Sequence, residues 1–409
     1  MKADRSVAVV TPWYPDSQVT YAGTFVRAKV EAVAPGCADL TVYHLKSWPV
    51  GAVGAPLDAN PPLMDLHTRL LHRSAVALEA SAHPAAKDAV LYRVPTLTPR
   101  DTAWITHSDA SARWMRAFLQ DKPIEAPIVH AHVPITGGWA ALENARPDAM
   151  VFMTEHSSFL DKVLEQPAAR ARYDEILDRA DGFFVVGEPL HDRIAAAFPH
   201  HASKLEYIAN PIEFPAGIEP PAADLRRWLS VGAFNERKRI DYLLEAFARC
   251  RARFPELTLT LAGDGRLRAA LEALADDLGV ADAVDFLGSV DPDEVHGLMA
   301  DHDLFVHTSR HETFGVVVVE ALAAGTPVLV SRCGGSDQVL RGIESDAGAL
   351  YDVDDDPDVL VAAYLDLRER HPEKTDVLAA RERLRGRYSS ETVAERHFEI
   401  WDRSNGGDR

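Results

Sequence analysis

The stretch HTSRHETFGVVVVEALAAGTPVLVS, residues 307–331, holds two carboxylates and a turn glycine in a spacing that suits a ligand with both an anion and a diol. The pattern predicts a strand ending near His307, a loop carrying Glu312 and Gly315, and an apolar helix that Gly325-Thr326-Pro327 stops before the next strand. Backbone amides from Thr313 to Val316, with Phe314 and Gly315 between them, then lie free at a helix N-terminus and can hold a diphosphate. Glu320 follows Gly315 by five residues, so a rise of about 1.5 Å per residue carries it about 7.5 Å along the helix. That is about the distance from a nucleotide's diphosphate to its ribose hydroxyls, and a carboxylate can accept two vicinal hydroxyls. Val317, Val318, Val319, Ala321 and Leu322 make this helix apolar on nearly every side, which argues against a solvated role for Glu320.

A second cluster lies in LSVGAFNERKRIDYLLEAF, residues 229–247, where a strand runs through Gly232 into a loop with Arg237, Lys238 and Arg239 ahead of an amphipathic helix. Cations at a helix start oppose its dipole and call for an anion. Lys238 is the first candidate for that anion and Arg237 the second. LAGDG, residues 261–265, supplies another tight turn through Gly263; by itself it is a weak signal, because Arg268 stands where the dinucleotide fingerprint needs a third glycine. His130 and His132 share one strand face, but spacing identifies no third metal ligand. The pairs Asp291/Asp293, Asp352/Asp354 and Asp356/Asp358 lie beside prolines in loops, where N-capping explains them. No metal and no cofactor are expected.

Parallel sheets must position these groups. Apolar runs at 6–10, 126–130, 149–154 and 182–187, then at 227–232, 257–263, 283–288, 303–308 and 327–331, lack in/out alternation and are separated by helical stretches. Ile240, Leu243, Leu244 and Phe247 keep helical spacing, as do Leu267, Ala270, Leu271 and Leu274. Both halves therefore read as doubly wound α/β domains. The Pro-rich segment 208–224 reads as a hinge between an N-terminal domain, 1–207, and a C-terminal domain, 225–385, with a C-terminal helix and tail over 386–409. Residues 46–63 read as a Pro/Gly-rich surface loop, and 64–120 shows helical patches without a clear assignment.

The chain of 409 residues has 43 Lys+Arg against 62 Asp+Glu, a net charge of −19 that disfavours nucleic acid and anionic membrane surfaces as partners. The four apolar residues Val7 to Val10 are too short a run for a secretory signal, and Glu320, Gly325 and Pro327 interrupt the most apolar stretch, so no membrane span is expected. Cys37, Cys250 and Cys333 are too few for a disulfide framework and fit a reducing cytoplasm.

Glu312 and Glu320, with seven residues between them, resemble the E-x7-E signature of the family-four glycosyltransferases. VGAFNERKR, LAGDG, FLGSV, NPIEF, Gly23 of YAGTFV and His156 of TEHSSF are similar to further motifs of that family. The resemblance spans residues 6 to about 340. It implies the GT-B fold, two Rossmann-like domains facing across a cleft, with a C-terminal helix able to cross back to the N-terminal domain. It also implies a retaining transfer from a nucleoside diphosphate sugar, UDP-sugars favoured, to an acceptor hydroxyl. In that pattern Glu320 takes the ribose hydroxyls, Glu312 the donor sugar, and the amides of Phe314, Gly315 and Val316 the diphosphate and sugar. Lys238 corresponds to the family's diphosphate lysine, Gly23 to the glycine where the first loop nears the phosphates, and His156 to the histidine facing the transferred sugar. Members often have Arg directly after the glycine of the VG turn; here it is Ala233, which leaves the diphosphate to Lys238 with help from Arg237.

The acceptor is expected to be a small soluble molecule or a glycan, and Trp13, Tyr14, Trp48, Trp104, Trp114 and Trp139 offer rings to stack on it. Two alternatives stay open: a nucleotide-sugar epimerase of the same fold, and a membrane-peripheral transferase acting on a lipid-linked saccharide.

Overall fold

Val7, Ala8, Val9 and Val10 are all buried, as a strand covered on both faces requires. They form β1 (Ser6–Thr11), which pairs in parallel with β2 (Asp39–Val50) on one side and β5 (Ile128–His132) on the other. The computed structural model describes residues 5–16, 20–50, 81–82, 89–99 and 103–405. Its chain divides into two units, Met1–Val186 with Leu190–Ala209 and Val393–Arg409, and Gly187–Pro189 with Asn210–Thr392.

The first unit is built on a sheet of order β3-β4-β2-β1-β5-β6-β7-β8. Its remaining strands are β3 (Ser81–Ala82), β4 (Ala89–Pro99), β6 (Met150–Glu155), β7 (Gly182–Val185) and β8 (Leu205–Tyr207). All pairs are parallel except the short edge strand β3, which runs antiparallel to β4. The second unit has a six-stranded sheet of order β11-β10-β9-β12-β13-β14. Its strands are β9 (Arg227–Val231), β10 (Thr258–Ala262), β11 (Val284–Gly288), β12 (Leu304–His307), β13 (Val328–Ser331) and β14 (Gly348–Tyr351), all parallel. Both units are thus doubly wound α/β layers, as expected. Around the second sheet the helix Ile240–Arg253 buries Ile240, Leu243, Leu244 and Phe247 against Trp228, Leu261 and Leu304. Full burial of each such side chain contributes about 1.5–3 kcal/mol.

Two features differ from the sequence reading. Residues 46–50, expected in a loop, continue β2, with Lys46 opposite Pro95 and Pro49 opposite Thr98. Proline sits here on strands whose ladder extends past the end of β1, so composition misled; the rest of that loop, from 51 to 63, lies outside the described residues. The helical patches placed in 64–120 include β4 and the helix Trp104–Phe118, while much of that piece also lies outside the described residues. Of the segment expected as a hinge, residues 208–209 group with the first unit, Ile208 N–H donating to Val185 O at 3.0 Å, and residues 210–224 with the second, where Ile212 N–H donates to Tyr388 O at 2.8 Å, His371 Nε2 to Ala222 O at 2.7 Å, and Arg381 to Pro215 O.

The last helix, Ser390–Asn405, begins on the second unit and from Val393 onward packs with the first. Trp401 and His397 are buried there, Arg5 Nε donates to Asp402 at 2.8 Å, and the Phe398 ring fills the space a side chain at Gly36 would need. No described helix is long and apolar enough to cross a membrane. Cys37, Cys250 and Cys333 are buried and form no disulfide among the described residues.

The strand ends of β9 and β10 meet through glycines. A Cβ on Gly263, at φ +149°, would stand 1.9 Å from Gly232 O, backbone that has no room to retreat while Gly263 N–H bonds Gly288 O at 2.7 Å. Gly263→Ala should therefore destabilise the second unit by about 2 kcal/mol or more, read as a lowered urea midpoint at unchanged m. An unchanged midpoint would show that the two strand ends can separate freely.

Candidate functional site

In the second sheet β9 lies between β10 and β12, so the chain order reverses there and the loops leaving β9 and β12 part around a crevice. Those loops are residues 232–239 and 308–315. They are tied together: Thr308 Oγ1 donates to Lys238 O at 2.7 Å, and Arg310 N–H donates to Arg237 O at 2.9 Å. The Lys238 stem passes over Gly232, whose missing side chain leaves it room.

Glu312 is the hub. Its Oε1 accepts from Lys238 Nζ and from Ser309 Oγ, each at 2.8 Å, forms an ion pair with Arg237 Nη1 at 2.8 Å, and lies 3.4 Å from His307 Nε2, while Arg237 Nη1 donates to His311 O at 2.9 Å. Burial alone would raise this carboxyl; Lys238, His307 and Arg237 outweigh it and hold the group well below the usual carboxylate range. For His307 burial wins over Glu312 and lowers its imidazole. The backbone is fixed separately, since Glu312 N–H donates to Cys333 O and Gly335 N–H returns to Glu312 O, each at 2.9 Å.

The helix expected after Gly315 runs Val316–Ala323 with Gly315 as N-cap at φ +96°. The amides of Phe314, Gly315 and Val316 donate to no protein acceptor among the described residues. Phe314 is buried edge-on against Tyr388, 5.3 Å between centroids. Glu320 is half-buried, and its carboxyl makes no hydrogen bond or ion pair among the described residues. Loss of solvation pushes it up to about 7.

The first unit places Gly23 and His156 at the carboxyl ends of its own strands, near the β1/β5 reversal. Gly23 caps the helix Thr24–Val33 at φ +75°, and a Cβ there would strike Trp13 backbone at 2.4 Å. His156 follows β6; its Nε2 is 2.9 Å from His132 Nδ1, its ring lies 4.6 Å from that of Phe25, and its Nδ1 is buried without a hydrogen-bond partner among the described residues. Burial, then the nearby Lys29, lowers its imidazole well below the ordinary value, so it is neutral at pH 7. Glu155 holds this turn by accepting from the amides of His156 at 2.8 Å and Ser157 at 2.7 Å.

Arg239 does not join the cation cluster. It adopts φ +53°, stacks on Tyr242 at 4.1 Å and donates to Asp354 O at 2.5 Å, so the anions that meet the three expected cations are Glu312 and the 354–355 loop. Asp291, Asp354 and Asp356 each accept the amide two residues on, at 3.0, 2.8 and 3.0 Å. His130 Nε2 pairs with Thr154 Oγ1 at 2.7 Å and His132 Nδ1 with His156 Nε2 at 2.9 Å, so one nitrogen of each of these two rings is hydrogen-bonded within the protein. Of the aromatic residues, Trp114 and Trp139 are buried, Trp48 is 50% exposed, and Trp13 and Trp104 pack around Phe159. Ser309 was missed, although it stands only three residues before Glu312, close enough in the chain for the two side chains to meet.

Residues 218–383 match the family model described as Glycosyl transferases group 1, and residues 66–214 match Glycosyltransferase Family 4. The chain carries the paired domains of the group 1 GT-B glycosyltransferases. It is similar to the lipopolysaccharide core biosynthesis glycosyltransferase LpsE of Rhizobium meliloti, 34% identical over 45% of this chain and 52% of that protein. It is also similar to the D-inositol 3-phosphate glycosyltransferase of Corynebacterium urealyticum, 25% identical over 70% of this chain and 73% of that one. The LpsE match spans about half of that relative's length. In fold it resembles sucrose-phosphate synthase from Thermosynechococcus elongatus, TM-score 0.72 at 20% identity over 98% of this chain and 99% of that chain. Anabaena HepE, solved with UDP and glucose, matches with TM-score 0.66 at 16% identity over 98% and 100% of the two chains.

In this glycosyltransferase framework Glu320 gives a pH signature. Its folded value is raised from the ordinary carboxylate range to about 7, so the folded chain binds the proton more tightly than the unfolded one. Stability from this group is full below about pH 4.5 and falls as pH rises to 7, by up to about 3 kcal/mol. Glu320→Gln should raise Tm at pH 8 and leave it nearly unchanged at pH 4.5. Equal Tm differences at both pH values would mean that Glu320 is not desolvated.

Proposed function

We propose that the chain transfers a sugar from a nucleoside diphosphate sugar to a hydroxyl of a small soluble molecule or a glycan. UDP-sugars are the favoured donors, the anomeric configuration is retained as the E-x7-E resemblance implies, and no metal ion takes part. The observation that carries the reading is the set of groups at the β9/β12 reversal: Lys238 and Arg237 on one loop, the open helix N-terminus of Val316–Ala323 on the other, and the unpartnered Glu320 further along that helix. HepE and TarM, solved with UDP, support the choice of nucleotide through fold alone.

Each group has a task in this reading. Glu320 accepts the ribose hydroxyls, and the amides of Phe314, Gly315 and Val316 hold the diphosphate. Cleaving the sugar–phosphate bond builds negative charge on the leaving diphosphate, so a positioned ammonium stabilises the transition state more than the ground state. Lys238 can turn to that phosphate because Arg237 and Ser309 also hold Glu312. Glu312 keeps a charged carboxylate for the donor sugar's hydroxyls. Gly263 holds the adjoining turn, and Gly23 and His156 keep the phosphate-loop and sugar-facing roles that the resemblance gives them. The half-buried rings of Trp13 and Trp104 are candidates for stacking on the acceptor.

Thermal shift across a donor panel, followed by mass spectrometry of products with candidate acceptors, tests this. An epimerised donor formed without acceptor would overturn transfer. Lys238→Ala should lower turnover about 10- to 150-fold, equivalent to the about 1.5–3 kcal/mol of a charge-assisted bond, with Tm little changed. Glu320→Gln should weaken binding of the bare nucleoside diphosphate in calorimetry, and equal affinity would remove Glu320 from the ribose. Activity should persist in excess chelator; loss that magnesium restores would overturn the metal-free site.

A further inference from the structure

On the first unit, away from the residues assigned above, Asp174 of the helix Pro167–Arg179 meets two histidines of the turn Pro199–Lys204. Its Oδ1 lies 2.9 Å from His200 Nε2 and 3.3 Å from His201 Nε2, and the three atoms all stand within 4.8 Å of one another. The two imidazoles are side by side, 4.2 Å between ring centroids. Ligands at about 2.0–2.1 Å around a tetrahedral zinc ion stand about 3.3 Å from each other, so small side-chain movements bring these atoms into a coordination sphere. We propose that Asp174, His200 and His201 form a site for a divalent transition-metal ion of the zinc class.

Two further observations support a prepared site. The turn is tied to the helix by contacts that do not use the three ligands: Lys204 Nζ donates to Leu177 O, Asp178 O and Ala180 O at 2.6, 2.8 and 2.9 Å. Beside them Phe198 stacks on Tyr173, the neighbour of Asp174, at 5.6 Å. An ion arriving there has no loop to order, which removes much of the entropic cost of binding. The donor set of two imidazole nitrogens and one carboxylate oxygen suits zinc, nickel or copper; magnesium and calcium prefer oxygen alone. To bind, each ring carries its proton on Nδ1 and offers the Nε2 lone pair, and water completes the fourth position. His200 is exposed and His201 nearly buried, so the site opens to solvent on one side. The ion would staple helix to turn and takes no part in sugar transfer.

Calorimetry of the whole chain with zinc chloride, beside magnesium chloride, tests the proposal. One zinc per chain is expected, with a rise in Tm of about 2–4 °C at saturation. Asp174→Asn and His201→Gln, each folded by circular dichroism, should weaken zinc by more than about tenfold. Absence of saturable zinc binding, wild-type affinity in both variants, or magnesium bound as tightly as zinc would each overturn it.

Discussion

A carboxylate drawn out of water destabilises a fold unless cations and hydrogen bonds replace the lost hydration. At the switch point of the second sheet Glu312 imposes this condition, and the local structure answers it. Lys238 and Arg237 come from the loop after β9, Ser309 and His307 from the end of β12, and all converge on one oxygen, Oε1. That convergence offsets the dipole penalty of cations ahead of the helix Ile240–Arg253. It also leaves Oε2 outside the set, so a charged acceptor stays available while the hub is intact. Breaking one partner strands less charge than breaking a lone pair would, because the remaining donors still hold Oε1.

The charge cluster works only because backbone is packed unusually close around it. Gly263 lets the β10 end touch Gly232 O, and Gly232 in turn lets the Lys238 stem pass. A Cβ on Gly335 would lie 2.4 Å from Phe314 N, so the turn after β13 presses directly on the loop that carries Glu312. The paired bonds between Glu312 and residues 333 and 335 make that contact a short parallel bridge. Side-chain electrostatics and glycine packing thus constrain Glu312 independently. The free amides at Phe314 to Val316 follow from the same geometry: a left-handed Gly315 starts the helix abruptly, with no side-chain cap to consume them.

Much of this was legible in the sequence because it rests on local signals. The apolar strands without alternation, the helix after Gly315 and its stop at Gly325 all come from patterns of a few residues, and the sheets carry them as read. Three things were not legible. Continuation of β2 past residue 46 depends on pairing with β4, and prolines in both strands hide it. The departure of Arg239 depends on a positive φ and on a loop more than a hundred residues away. The choice of partner for Lys238 and Arg237 was also hidden: a cation ahead of a helix calls for an anion, but only tertiary structure shows that the protein supplies one itself. Ser309 is a different case, since it stands only three residues from Glu312 in the sequence.

The two units meet the problem of buried polar groups in opposite ways. The second uses opposed full charges around Glu312. The first gathers His130, His132, His156 and His397 with Lys29 in its interior, and burial lowers every one of them, Lys29 to about 7. Its carboxylate Glu155 accepts from amides of its own turn and from the Tyr173 hydroxyl at 2.7 Å, and forms no ion pair among the described residues. Under the proposed reaction this division has a physical reason. A departing diphosphate gains charge and needs cations close by, which Lys238 and Arg237, already gathered at Glu312, supply. A sugar hydroxyl gains little charge. It is better met by a neutral imidazole, which can donate or accept without the desolvation cost that a buried imidazolium would carry.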